Sequence, residues 1–126
     1  MGSQYEAHVV EVVGHTDGVP IKDKLRAASN MDKALMDFVH DKGGEMPPPF
    51  DNVGLGMARA VSVAKALREA GLGNEFTILP MSAGPVIAPG DHLAVWTEKP
   101  LPDDKRRRIE IRLRRSSIAL ELSTLR

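Results

Sequence analysis

Two polar residues far apart in the sequence are the best candidates for chemistry in this chain. Residues 14–17 (Gly-His-Thr-Asp) close an apolar run, so Asp17 stands where a strand is expected to end. Residues 52–60 open a helical pattern that carries Arg59. A carboxylate and a guanidinium held side by side can bind a small zwitterion. The acid pairs with the ammonium, and the guanidinium grips the carboxylate through two parallel hydrogen bonds.

Other uses of the same residues stay open. Asp17 and Arg59 could pair with each other or cap local backbone, with no ligand. His15, Asp17 and the distant His92 are too scattered for a metal site, so we expect no metal and no cofactor. A hydrolase using His15 and Asp17 would need a nucleophile, but the chain has neither Ser-His-Asp spacing nor a nucleophile elbow. We therefore predict a protein that is not an enzyme.

The elements that must position this pair follow from hydrophobic periodicity. Residues 5–13 predict a buried strand, because their β-branched run is nearly continuous. Residues 57–70 predict a helix with apolar residues on one face, Gly56 as its N-cap and Gly71 just after its end. A strand at residues 108–114 alternates strictly, which predicts one buried apolar face and one solvated arginine face.

The remaining segments predict one domain of the α+β or α/β type. They comprise a helix at residues 22–42 that stops at Gly43 and Gly44, an extended polyproline segment at 45–50, a strand at 76–79, a loop at 81–100, and a tail at 116–126 that suits either strand or helix.

Composition narrows the function classes. The net charge is zero, so no whole-chain attraction to nucleic acid is expected. Residues 105–115 hold seven basic residues and one acid, but they lack the aromatic groups that stack on single-stranded nucleic acid. We therefore predict no nucleic-acid partner. There is no cysteine, which excludes disulfides and thiolate metal sites.

Three motifs occur in a fixed order along the chain. They are residues 14–17, the pattern Asn52-x-x-Leu55-Gly56-x-x-Arg59-Ala60-x-x-Val63, and residues 107–111 (Arg-Arg-Ile-Glu-Ile). This ordered set resembles the OmpA-like peptidoglycan-binding domain. The family includes the periplasmic parts of outer-membrane protein A, peptidoglycan-associated lipoprotein and MotB-type motor stators.

The resemblance implies a fold and a ligand. The fold is an α+β, βαβαβ-type two-layer sandwich with helices packed on one face of a mixed sheet. The ligand is the diaminopimelate residue of the peptidoglycan stem peptide, bound non-covalently, with the family's aspartate at Asp17 and its helix arginine at Arg59. The predicted ligand-binding set also includes further polar and apolar residues from the three motifs: Thr16, Asn52, Leu55, Arg107 and Arg108.

The predicted helix start adds a physical argument for Arg59. With Gly56 as N-cap, Arg59 is the third helical residue, near the positive end of the helix dipole. A cation there costs roughly 0.3–1 kcal/mol, which a bound anion would offset. Arg59 is then expected to be arranged for a ligand rather than for helix stability.

The chain also departs from the family pattern. Gly56 stands where the family usually has Ser, and Arg106 stands where it often has Asn. The gap between the first two motifs is long, so residues 18–51 are interpreted as an insertion in a domain spanning residues 5–126. Residues 1–4 are typical of a vector-derived leader.

The family's first strand and helix have no counterpart upstream of residue 5. Either the domain was cut there, or the tail at residues 118–122 or a second copy fills the place. These alternatives stay open.

The expected role is anchoring of an envelope protein or motor-stator-like complex to the cell wall. The expected location is the bacterial periplasm, in a parent protein that is membrane-anchored and a possible homodimer. The alternative is a ligand-free structural or oligomerisation domain that self-associates through an unpaired sheet edge.

Overall fold

The described part of this protein contains a three-stranded mixed sheet and two α-helices. The computed structural model describes residues 8–21, 31–43, 51–95 and 97–115. The elements are β1 (Val9–His15), α1 (Met31–Val39), α2 (Asn52–Glu69), a 3₁₀ turn (Leu72–Asn74), β2 (Thr77–Gly84), β3 (Ile87–Ala88), β4 (His92–Leu93) and β5 (Arg108–Arg114). The sheet order is β2-β1-β5, with β1 parallel to β2 and antiparallel to β5, while β3 and β4 form a separate hairpin. The predicted α+β class with a mixed sheet is confirmed.

Strand β1 is the centre of the sheet and is buried on both faces. Val10 and Val12 have no exposed surface, and Val9 and Val13 on the opposite face are nearly as buried. This confirms the buried strand predicted from the β-branched run, which suits a position between two neighbours. The part of that prediction that covers residues 5–7 lies outside the described residues.

One apolar core joins the sheet to both helices. Its buried members come from β1, β2, α1 and α2: Val10, Val12, Phe38, Ala60, Val61, Ala64 and Ile78. The small side chains of Ala60 and Ala64 let α2 lie close to the sheet, and burial of the branched side chains is the main source of stability.

Helix α2 begins earlier than predicted. Its N-cap is Asp51, whose Oδ1 accepts a hydrogen bond of 2.8 Å from the backbone N–H of Gly54. The prediction of Gly56 as N-cap is therefore wrong, because an Asp side chain satisfies a free N–H of the first turn and glycine has no such group. The predicted end is confirmed, since Gly71 adopts a left-handed φ of 96° just after the helix.

Gly56 has a packing role instead. A Cβ added at Gly14 would lie 2.0 Å from the carbonyl oxygen of Gly56, and one added at Gly56 would lie 2.5 Å from Oγ of Ser82. Strand β1 and helix α2 therefore touch backbone to backbone at these two glycines. This explains why glycine stands at position 56, and it brings the end of β1 against the first turns of α2.

Helix α1 ends earlier than predicted. Within the predicted range 22–42, residues 22–30 lie outside the described residues, and α1 covers Met31–Val39. The last residue of α1 is Val39; Asp41, two residues later, has a φ of 54°, and the N–H of Lys42 donates to the carbonyl of Asp37 at 2.7 Å. This is a Schellman motif built on Asp, so the prediction that Gly43 and Gly44 stop the helix is wrong.

Two further predictions fail in the second half. The segment 81–100 is not a continuous loop, because β2 runs on to Gly84 and the hairpin of β3 and β4 follows. The apolar face of β5 is not uniformly buried either: Ile109 packs against the core, but Ile111 and Leu113 are 51% and 64% exposed. The reason is topological, since β5 is at the sheet edge and α2 packs on β1 and β2.

The arginine face of β5 is less exposed to solvent than predicted. Arg108 is only 19% exposed and Arg114 is 31% exposed, because each pairs with a glutamate of the same sheet face. The polyproline segment and the tail lie outside the described residues. Among the described helices, none is long and apolar enough to cross a bilayer.

Candidate functional site

Asp17 joins two loops that are distant in sequence. It lies just after β1, and only 6% of it is exposed. Its Oδ1 accepts from the backbone N–H of Val19 at 3.0 Å, and its Oδ2 accepts from the backbone N–H of Asp103 at 3.1 Å. The Nε of Arg107 lies 3.5 Å from the same Oδ2. Asp17 therefore holds the segment before β5 against the end of β1.

The first turn of α2 is tied to the same place. The side-chain amide of Asn52 donates to the carbonyl of Val19 at 3.1 Å. Thr16 is fully buried at the end of β1, where its backbone N–H donates to the carbonyl of Gly84 at 2.9 Å. Three segments thus meet around the turn at residues 17–19: the end of β1, the start of α2 and the approach to β5.

A cavity of about 220 Å³ lies where these segments meet. Six of the seven predicted ligand-binding residues line it: Thr16, Asp17, Asn52, Leu55, Arg59 and Arg107. We call this space the Asp17 cavity. Asn52, Leu55 and Arg59 reach it from one face of α2, because their spacing of three and then four residues places them on the same side.

Apolar residues missed by the sequence analysis complete the walls. They are Val19, Pro20, Ile21 and Pro102. Both prolines sit beside the polar motifs in the sequence, a signal that could have indicated a rigid loop wall. Nothing local could have indicated that the backbone N–H of Asp103 approaches Asp17.

Arg59 is not where the sequence placed it within the helix. It is the eighth residue of α2, counted from Asn52, and not the third. The helix-dipole argument for an anion at Arg59 therefore fails, because the dipole acts mainly within the first turn. Arg59 is exposed, and among the described residues its guanidinium has no hydrogen bond or ion pair.

The alternative in which Asp17 and Arg59 pair with each other or cap local backbone holds only in part. Asp17 does hold local backbone, as that alternative required. Among the described ion pairs, however, Asp17 lies against Arg107 and not against Arg59. The positive charge of Arg59 is thus left facing a cavity that contains the carboxylate of Asp17.

Arg108 is the predicted site residue that does not line the Asp17 cavity. Its Nε and Nη2 donate to Oε1 of Glu110 at 3.1 and 2.7 Å, and its Nη1 donates to the carbonyl of Ile87 at 3.3 Å. Arg108 is the first residue of β5 and shares a sheet face with Glu110, because residues two apart in a strand point the same way, whereas Arg107 precedes the strand. The guanidinium of Arg108 is therefore engaged within the protein rather than offered to the Asp17 cavity.

A buried histidine lies beneath the site. Nε2 of His15 lies 2.7 Å from Oε1 of Glu110, and the ring has no exposed surface. Burial lowers the pKa of His15, and the positive charge of Arg108 lowers it further, which outweighs the opposing effect of Glu110. Burial alone would raise the pKa of Glu110, but the hydrogen bond from Arg108 and the charges of its neighbours bring that pKa below its usual value.

A larger cavity among the described residues has different chemistry. It measures about 440 Å³, lies on the other side of Gly18, and is lined mainly by apolar residues such as Val86, Leu93 and Val95. Arg106 lines it and donates to the carbonyl of Pro85 at 2.8 Å. No acid lines it among the described residues, so it cannot pair with an ammonium as the Asp17 cavity can.

A metal centre is not formed by the described residues. Within the described ranges, no three His, Asp or Glu side chains are grouped as metal ligands would be. Comparisons of this chain with protein-family models, with curated proteins and with solved structures found no match.

Proposed function

We propose that this protein binds the diaminopimelate residue of a peptidoglycan stem peptide in the Asp17 cavity. The observation that carries the proposal is that one cavity is lined both by the buried carboxylate of Asp17 and by the guanidinium of Arg59, which has no partner among the described residues. The remote carbon of diaminopimelate bears both an ammonium and a carboxylate. It therefore matches the two charges of the cavity.

The proposed contacts follow from hydrogen-bond capacity. Each oxygen of a carboxylate can accept more than one hydrogen bond, so Asp17 retains capacity for an ammonium beside its two backbone donors. Arg59 can present two parallel N–H groups to the ligand carboxylate. The burial of Asp17 strengthens its contact with an ammonium relative to water, because the effective dielectric constant is lower around a buried group.

The fold supports this proposal without being specific to it. An order of strand, helix and parallel strand, followed by an antiparallel strand beside the first, is compatible with the proposed OmpA-like two-layer sandwich. Within that proposal, the protein attaches an envelope protein or a motor-stator-like complex to the wall and works in the periplasm. It does so by binding alone, without catalysis.

The decisive experiment compares two stem peptides that differ only in the third residue. One carries meso-diaminopimelate and the other carries lysine, which keeps the remote ammonium but lacks the remote carboxylate. Titration calorimetry should show the diaminopimelate peptide binding about tenfold or more tightly, the size of one charge-assisted interaction. Equal affinity for the two peptides would remove the proposed role of Arg59.

Matched variants assign the effect to the site. Arg59→Gln should lower affinity for the diaminopimelate peptide about tenfold and leave affinity for the lysine peptide unchanged. Lys65→Gln on the same helix removes one positive charge outside the Asp17 cavity and serves as control. Asp17→Asn should weaken both peptides, because both carry the ammonium, and co-sedimentation with purified peptidoglycan should fall in parallel.

One observation favours a second candidate, a ligand-free oligomerisation domain. Ile111 and Leu113 expose apolar surface on β5, which is an edge strand of the described sheet. Edge strands with such side chains are ready to pair with another chain. A mass that rises with concentration in light scattering, combined with no binding to peptidoglycan, would favour this candidate.

A further inference from the structure

The guanidinium of Arg107, in the wall of the Asp17 cavity, is shared by two carboxylates. Its Nε lies 3.5 Å from Oδ2 of Asp17, and its Nη2 pairs with Oδ1 of Asp104. The two acids have different surroundings, because the side chain of Asp17 is 8% exposed and that of Asp104 is 91% exposed. One half-exposed cation therefore serves both a buried acid and an acid at the surface.

The contact of Arg107 with Asp17 is loose. A charge-assisted hydrogen bond from N–H to a carboxylate usually measures about 2.7–2.9 Å, and the distance here is 3.5 Å. The two oxygens of Asp17 are held independently of Arg107, because they accept from the backbone N–H groups of Val19 and Asp103. Arg107 can therefore move away without releasing the carboxylate from its place.

The charges that line the Asp17 cavity are shared unequally. Among the described residues, Asp17 and Asp104 share the single cation Arg107, whereas Arg59 has no acid. A zwitterionic group supplies what is lacking on both sides, because its ammonium can pair with Asp17 and its carboxylate with Arg59. Arg107 then belongs to Asp104 alone, and every charge has one partner.

We propose that Arg107 is an exchangeable counter-ion: it competes with the ammonium of the ligand for Asp17, and Asp104 takes it over when the ligand binds. This inference rests on the proposed function. Two cations beside one carboxylate repel each other, and the repulsion is stronger near a buried group because the effective dielectric constant is lower. Asp104 is suited to its role because it already pairs with Arg107 from three residues earlier in the chain.

The consequence is a selectivity for zwitterions over simple amines. A simple amine has to displace Arg107 from Asp17 and gains no contact with Arg59 in return. A zwitterionic group displaces the same cation and also neutralises Arg59. Arg107 thus opposes binding instead of contacting the ligand, the role expected for it from the sequence.

Removing the competing charge provides the first test. In titration calorimetry with the diaminopimelate stem peptide, Arg107→Gln should bind about two- to fivefold more tightly than the unaltered protein, the size of one partly exposed ion pair. Lys105→Gln removes a positive charge from the same turn outside the Asp17 cavity and should leave the affinity unchanged. Unchanged or weaker binding by Arg107→Gln overturns this inference and leaves the proposed function intact. Failure of the unaltered protein to bind the peptide overturns the proposed function.

Removing the second acid provides an independent test. Asp104→Asn should weaken binding of the same peptide about two- to fivefold, because Arg107 then has Asp17 as its only acid among the described residues. The same substitution in the Arg107→Gln background should have no effect. An equal loss in both backgrounds would show that Asp104 acts without Arg107 and would overturn the exchange. The exposed position of Asp104 makes this variant safe for folding.

A modified ligand separates charge from size. A stem peptide whose remote amine is acetylated keeps the remote carboxylate but carries no ammonium, so Arg107→Gln should not bind it more tightly. Arg107→Lys keeps the positive charge and should bind the unmodified diaminopimelate peptide as the unaltered protein does. An equal gain for both peptides in Arg107→Gln would mean that Arg107 obstructs the cavity by its size, and this result would overturn the proposed competition of charges.

Discussion

The two halves of α2 each carry an arginine, and the two arginines have opposite surroundings. Arg68, near the C-terminal end, lies 3.9 Å above the ring of Phe38, donates to the carbonyl of Phe38 at 2.8 Å and lies 3.5 Å from Asp41. Arg59, in the N-terminal half, has no such partner among the described residues and faces a polar cavity. The same residue type thus holds α1 onto α2 at one end and is left available for a ligand at the other.

The difference arises from what each half packs against. The C-terminal half meets α1, which supplies the aromatic ring and the backbone carbonyl of Phe38 to a cation. The N-terminal half meets the end of β1 through glycines, and this close approach leaves the surrounding loops to form a cavity. Four predictions test or sharpen this comparison.

The largest expected effect concerns the glycine contact of the N-terminal half. Gly14→Ala should destabilise the protein by about 3 kcal/mol or more, because the new methyl group would overlap the backbone of Gly56 rather than a flexible side chain. Urea denaturation followed by circular dichroism measures this. Gly43→Ala is the control, since a Cβ there meets nothing within 4 Å. Similar stability of the two variants would contradict the close approach of β1 and α2.

The next effect compares the two arginines directly. Arg68→Gln should cost about 1–2 kcal/mol, from the lost contact with Phe38 and the lost hydrogen bond to its carbonyl. Arg59→Gln should change stability by less than about 0.5 kcal/mol, as expected for an exposed residue without partners. The same denaturation assay distinguishes them. Equal losses for both arginines would mean that Arg59 also has a structural role.

A smaller effect concerns the start of α2. Asp51→Ala should cost about 1 kcal/mol, because it removes the acceptor for the N–H of Gly54. Asp51→Asn, which keeps a side-chain oxygen at the N-cap, should retain most of the stability. If the helix instead began at residue 57, as the sequence predicted, neither substitution would matter, and the thermal midpoint of Asp51→Ala would equal that of the unaltered protein.

The smallest expected effect is the pH dependence of stability that arises from His15. The pKa of His15 is below its ordinary value of 6.5, so the unfolded chain takes up a proton before the folded protein does. The contribution of His15 to the free energy of unfolding is therefore fully present above pH 6.5. It is lost as the pH falls toward the lower pKa of the folded protein. Glu110, whose pKa is also lowered, adds a further loss below its ordinary value of 4.5.

Thermal unfolding between about pH 7 and about pH 5 measures this loss. His15→Gln, a neutral side chain of similar size, should show a flatter profile over that interval. An unchanged slope in the variant would mean that His15 does not govern the dependence.

The parts of the fold that were predictable depend on short stretches of sequence. The β-branched run of β1, the strict alternation of β5 and the end of α2 at Gly71 are each encoded within a few residues. The start of α2 was mispredicted because Gly54 and Gly56 are typical of turns, and only the backbone contact with Gly14 explains why a helix tolerates Gly56 there. The edge position of β5 likewise left Ile111 and Leu113 exposed despite their regular pattern.

The sequence by itself determined which residues are candidates for a site, and six of the predicted seven line one cavity. Only the tertiary structure decided how they are used. Asp17 holds the backbone of Asp103, 86 residues away, Arg107 lies beside Asp17, and Arg108 binds Glu110. Periodicity and cap chemistry act between near neighbours in the chain. The environment of a charge depends instead on which distant segments the sheet register and the loops bring beside it.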